Sequence, residues 1–253
     1  MKNMVMFIYK LNLNSISIII NNFKEDFNLS NIDSNKNIKR KRLIDAAAKV
    51  MSNKGYNESS IKDITDEAKV SVGSFYSYFS NKEEILLSLY DDIAEMHFQI
   101  AKIVGNNCEP SGAKRLASII SSIVWFQYKN PQLVLILLLK TISINEKFEN
   151  KYKEIINSVK DVIIPIFEKM KLNNLIKSDD VEISATAFIY SINGVMLSEI
   201  MNNSNKDIAS IAFNIVSYNL NGLKMKFNEE DIKSYIKELF LNDYFETIIN
   251  EEV

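Results

Sequence analysis

Apolar residues fall into helical spacing from Lys39 onward. Ile44, Ala47, Ala48 and Met51 stand at i, i+3, i+4 and i+7, one face of an amphipathic helix that starts after a basic run, and Gly55 marks its end. Ser60-Ile61-Lys62-Asp63 has the form of a capping box, and Ile61, Ile64, Thr65 and Ala68 repeat the spacing behind it. A turn at Lys69-Val70 follows, after which Ser71 caps a third helix carrying Val72, Phe75, Tyr76 and Phe79. Ser80-Asn81-Lys82-Glu83 reads as a further capping box, opening a long helix with Ile85, Leu86, Leu89, Ile93 and Met96 that should end at Gly105.

Beyond Pro110 the pattern stays helical but loses its punctuation. Asn130-Pro131 is a helix start, because proline at the first helical position gives up no hydrogen bond. A helix over Lys151–Met170 has to accommodate Pro165, with a kink expected near Ile164. Two apolar helices follow, over Val181–Met201 and Lys206–Lys226, and then an acidic amphipathic tail. The pattern predicts three regions: a loosely ordered Asn-rich extension at 1–36, a short-helix domain at 37–84, and a larger helical domain at 85–253.

Composition narrows the picture without changing it. With 6 Gly and 3 Pro in 253 residues, too few turns are available for a sandwich or barrel, so the fold class is all-α. A formal net charge of -2 supplies no global attraction to nucleic acid, so any DNA contact needs a local basic patch. Lys36, Lys39, Arg40, Lys41 and Arg42 form such a patch. One cysteine, Cys108, and one histidine, His97, exclude a disulfide framework within the chain and argue against a Cys/His metal site, and a reducing cytoplasm fits. No run reaches about 18 uninterrupted apolar residues, so no membrane span is expected.

Two short capped helices across a tight turn, with one helix in front and a long one behind, is the helix-turn-helix plan. Burying Phe75 and Phe79 against Ile44, Ala47, Ile61 and Ile64 leaves Ser71, Val72, Ser74, Ser77 and Tyr78 to face a major groove. There Ser74 and Ser77 can hydrogen-bond bases or phosphates, and Val72 can touch a thymine methyl. The run Arg42-Leu43-Ile44-Asp45-Ala46-Ala47, then Lys54-Gly55-Tyr56, Ile61-Lys62-Asp63-Ile64, Val70 through Phe79, and Asn81-Lys82-Glu83-Glu84 resembles the N-terminal domain of TetR-type bacterial regulators throughout.

That resemblance implies a three-helix DNA-binding domain and a larger helical ligand-binding and dimerisation domain. It also implies phosphate contacts by Tyr76, Tyr78, Lys82 and Lys62, with Lys39, Arg40, Arg42 and Ser60 alongside them at the DNA. The expected partners are double-stranded operator DNA, a largely apolar small-molecule effector, and a second copy of the chain held through the last two long helices. Trp125, Phe126, Phe167, Phe188 and Met196 are candidate pocket residues, although aromatics at helical spacing are more often ordinary core. One departure stands out: the family usually has Gly where this chain has Lys69, and a left-handed lysine there would cost about 1–2 kcal/mol relative to Gly.

The expected function is a ligand-responsive regulator, a repressor released from its operator by a small molecule, with no cofactor. The alternative is a helical binding module that has lost sequence-specific DNA binding, and Lys69 alone points that way. An enzyme is disfavoured: there is no phosphate-cradling glycine loop and no nucleophile elbow, and carboxylate neighbours such as Glu83-Glu84 point about 100° apart on a helix.

Overall fold

The computed structural model describes residues 34–107, 112–140, 144–241 and 244–245, and among these every regular element is a helix. In chain order they are α1 (Ser34–Lys54), α2 (Ile61–Ala68), α3 (Val72–Tyr76), α4 (Lys82–Asn107), α5 (Gly112–Lys129) and α6 (Pro131–Leu135). A π-helical turn over Ile136–Lys140 extends α6, and α7 (Glu146–Leu172), α8 (Val181–Met201), α9 (Ile208–Gly222) and α10 (Glu229–Phe240) complete the chain. Cys108 and residues 1–33 of the expected extension lie outside the described residues. The chain divides into two compact units at Arg42 and Leu43.

Several boundaries differ from the sequence expectation. Helix α1 begins at Ser34, so the basic run lies inside it rather than before it, since nothing between Ser34 and Arg42 breaks a helix. Gly105 does not end α4, which continues to Asn107; glycine weakens a helix but stops one only where the backbone turns left-handed. The capping arrangement at α4 sits one residue later than expected. Asn81 Oδ1 accepts from the Glu84 amide at 2.9 Å, while the Glu84 carboxylate accepts from the Ser80 amide at 2.7 Å. Helix α7 runs through Pro165 and is longer at both ends than expected, and α9 is shorter.

Within the second unit, one apolar cluster joins Leu43, Ala47, Met51, Ile64, Phe75, Phe79, Leu86, Tyr90 and Ile93, closing α1 to α4 around a common core. Ile136 of the π-helical turn and Phe148 of α7 belong to the same cluster. A second cluster holds α5, α7, α8, α9 and α10 together through residues such as Ile120, Phe167, Phe188, Ile192, Ile215 and Ile236. By length and composition alone α8 could cross a membrane. One face of it, however, carries Ala185, Phe188, Ile189, Ile192 and Met196 into this cluster, and Gln127 Nε2 of α5 donates to Asn193 Oδ1 at 2.9 Å.

Candidate nucleic-acid interface

Three local devices set α3. Ahead of it, the Ser60 hydroxyl accepts from the Asp63 amide at 3.1 Å and the Asp63 carboxylate accepts from the Ser60 amide at 2.9 Å, the reciprocal capping box expected for α2. The Asp63 carboxyl is held well below the usual carboxylate range, first by its hydrogen bond from Lys54 and then by those from Ser60. Between α2 and α3 the chain reverses at Lys69, whose φ of 54° and ψ of 47° are left-handed, so the turn keeps the backbone that glycine would favour. Finally, the Ser71 hydroxyl accepts from the Ser74 amide at 3.1 Å and caps α3.

Phe75 and Phe79, both essentially fully buried, fasten α3 to the core, with ring centroids 5.7 Å apart. The opposite side is open: Ser71, Val72, Gly73, Tyr76 and Ser77 are exposed, and Ser74 and Tyr78 are half-buried. A β-carbon at Gly73 would meet only the Ser71 hydroxyl, at 4.0 Å, so a flat partner can approach closely. Some of the hydroxyls already have work within the fold. Ser77 Oγ donates to the Gly73 carbonyl at 3.3 Å and keeps its acceptor capacity, whereas Ser60 Oγ both donates to Asp63 at 2.7 Å and accepts from the Asp63 amide. Lys62 is exposed on α2. In the first unit Lys39, Lys41 and Arg42 are exposed and Arg40 is half-buried.

Lys82, expected at a phosphate, is engaged with the protein's own backbone. Its ammonium donates to the backbone carbonyls of Tyr56 and Ser59, the latter at 2.8 Å, with the Asn57 carbonyl at 3.4 Å, and it sits 4.3 Å from the centroid of the Tyr56 ring. Burial pushes its pKa down from the ordinary lysine value. Tyr56 entered the sequence reading only as part of a motif, and Phe148, which meets it, carried no signal beyond being apolar near the start of a helix.

Residues 43–89, the segment that builds this arrangement, match the profile of "Bacterial regulatory proteins, tetR family". This segment belongs to the TetR family of bacterial regulatory proteins. The chain's relatives include the "Fatty acid metabolism regulator protein" of Bacillus subtilis, 25% identical over 76% of this chain and 98% of that protein. Among solved structures, a regulator FadR from Bacillus subtilis in complex with stearoyl-CoA is similar, with a TM-score of 0.65 and 23% identity over 72% of this chain and 97% of that one. A fatty acid degradation regulator FadR from Bacillus halodurans is similar too, with a TM-score of 0.69 and 18% identity over 78% of this chain and all of that one. Regulators of this family bind DNA and are not enzymes.

Outside that segment the five expected pocket residues do not all gather at one place. Phe167 and Phe188 meet edge to face at 5.5 Å in the large cluster of α5 and α7 to α10. Trp125 and Phe126 pack instead with Leu239 and Phe245. Met196, buried in the large cluster, also floors a cleft of about 330 Å³ rimmed by Ser52, Asn53, Tyr128, Gln132 and Glu199. Sequence reasoning missed the buried polar groups of α5. Ser118, Ser121, Ser122 and Gln127 of α5 are all buried, and Ser121 Oγ and Gln127 Oε1 have no hydrogen-bond partner.

Proposed function

We propose that this chain is a repressor that holds operator DNA as a homodimer and lets go when a largely apolar small molecule of the fatty-acyl kind occupies the sensor half. The observation that carries the DNA-reading assignment is α3 itself, anchored by Phe75 and Phe79 and presenting Val72, Ser74, Tyr76 and Ser77 outward from a capped turn. Val72, Ser74 and Ser77 read base edges, while Lys39, Arg40, Arg42, Ser60, Lys62, Tyr76 and Tyr78 hold phosphates. Residues 37–84 form the reading head and 85–253 the sensor and dimerisation half. A cytoplasmic address goes with a bacterial DNA-binding role.

The acyl assignment is supported by the relative named for fatty acid metabolism, matched over nearly its whole length, and by the similar structure solved with stearoyl-CoA. Dimerisation through α8 and α9 is supported by an apolar stripe on the outer side of α8, where Ile183, Tyr190 and Met201 share one exposed face, and by the exposed Tyr218 of α9. The test is fluorescence anisotropy of a labelled DNA fragment, selected by the protein from a random-sequence pool, titrated with stearoyl-CoA, octanoyl-CoA and free coenzyme A. Release by an acyl thioester and not by coenzyme A is the expected result. If none releases the DNA while the complex remains salt-sensitive, the acyl reading fails and the DNA reading stands.

A further inference from the structure

Phe148 is fully buried, yet the core it enters is not that of its own half. It lies in the first turn of α7, fixed there by its amide, which donates to Asn145 Oδ1 at 3.2 Å, and its side chain joins the cluster built by α1 to α4. Its ring meets Tyr56 edge to face at 5.6 Å and lies 6.2 Å from Tyr90. Tyr56 carries the Lys82 ammonium over its ring, and Lys82 is the first residue of α4, just beyond the turn that leaves α3. On the flanks, Lys147 pairs with Glu83 at 2.6 Å and Lys151 with Asp91 at 2.6 Å, so the start of α7 and the start of α4 are tied together by side chains of both kinds.

An ammonium has three N–H groups and no acceptor. Two of those of Lys82 go to the Tyr56 and Ser59 carbonyls of the α1–α2 loop and the third lies toward the Asn57 carbonyl at 3.4 Å, with the Tyr56 ring beside them, so the main engagement of Lys82 is with that loop. We propose that Phe148, Tyr56 and Lys82 form a single positioning column, through which α7 of the sensor half sets the α1–α2 loop and the exit of the recognition helix. The column acts on DNA through the placement of α3, not by touching DNA, and it gives movement of α7 a direct route to the reading head. This rests on α3 being the reading helix.

The experiment uses the full-length protein and the DNA fragment it selects from a random pool, with affinity measured by anisotropy over a range of salt. Phe148→Met and Lys82→Met are made singly and together, each also combined with Tyr56→Phe and with Tyr56→Leu. Each single change is expected to weaken binding about tenfold, and the double change to be no worse than about tenfold, because the second removal acts on a column already broken. Tyr56→Phe keeps this pattern. Tyr56→Leu reproduces the loss and cancels the effect of the other two.

The slope of log affinity against log salt stays unchanged in Lys82→Met, and amide exchange of residues 56–60 and 71–79 speeds up in Phe148→Met. The proposal is overturned if the double loss multiplies to about a hundredfold, or if Lys82→Met lowers the salt slope by about one per subunit, as a phosphate ligand would. It is also overturned if Phe148→Met stays folded and binds within about twofold of the parent. Should Phe148→Met fail to fold, the Tyr56 pair with Lys82→Met decides by the same criterion. Tyr76→Ala on the same fragment serves as the control: if it and Ser74→Ala leave binding intact, the assignment of α3 has failed rather than the column.

Discussion

The reading head and the sensor half differ in how completely each satisfies itself. In the head, α2 and α3 are eight and five residues long, too short to stand in water alone, and each is closed by a serine whose partner lies three residues away. Among the described residues, the buried polar atoms without partners, Ser121 Oγ, Gln127 Oε1 and Glu199 Oε2, all fall in the sensor half. That half also exposes Ile183, Tyr190, Met201 and Tyr218. Unpartnered buried polar groups cost free energy, and a bound ligand or partner copy in that half would relieve it. The head instead exposes Val72 and Tyr76, both on α3.

The largest expected effect breaks the head alone. Phe75→Ala should remove about 3–5 kcal/mol from the head's core and abolish DNA binding, while circular dichroism retains most of the helix signal because the sensor half has its own cluster. Next, Ile183→Asp combined with Met201→Asp should yield monomers in sedimentation and lower operator affinity by about a hundredfold or more, since each head would then bind without its neighbour. A dimer persisting in that variant would remove α8 as the interface.

Smaller changes sharpen the contrast. Ser60→Ala should destabilise the head by about 1 kcal/mol through loss of the α2 cap, read from thermal unfolding. Asp63 makes the same cap pH-dependent. Its pKa is depressed in the fold, so its contribution is present at neutral pH and above the ordinary carboxylate value, and is lost as pH falls toward the depressed one. Asp63→Asn should therefore flatten the acid limb of head stability. Each half should also yield one stabilising change. Ser121→Ala removes a buried hydroxyl without a partner and should raise stability by up to about 1 kcal/mol, and Lys69→Gly should add about as much in the head by relieving a left-handed lysine. If Ser121→Ala also weakens effector binding, that hydroxyl serves the ligand.

Why the head was legible and the sensor half was not follows from where the determinants sit. Ser60 with Asp63 and Ser71 with Ser74 act over three residues, and Phe75 with Phe79 over four, so the spacing of residue types along the chain carries them. The limits of α8 were equally readable from apolar spacing. Which face of α8 would be covered was not, because that depends on Ile120, Phe167 and Ile215 arriving from three other helices. The five aromatic and methionine candidates scattered for the same reason. Lys82 was expected at a phosphate, and its engagement with the backbone carbonyls of residues 56 to 59 was not legible because no side-chain pattern announces it. Phe148 was invisible because it packs into a core other than that of its own half.

The central claim is that α3 reads DNA sequence, and the most direct test compares the parent chain with Ser74→Ala by anisotropy on every single-base variant of the selected fragment, with random DNA as competitor. Tight binding that survives the competitor is expected, with a changed preference at one or two base pairs costing up to about 1–3 kcal/mol in the variant. Binding that random DNA displaces equally well, or a Ser74→Ala protein that ranks all base variants as the parent does, would contradict it.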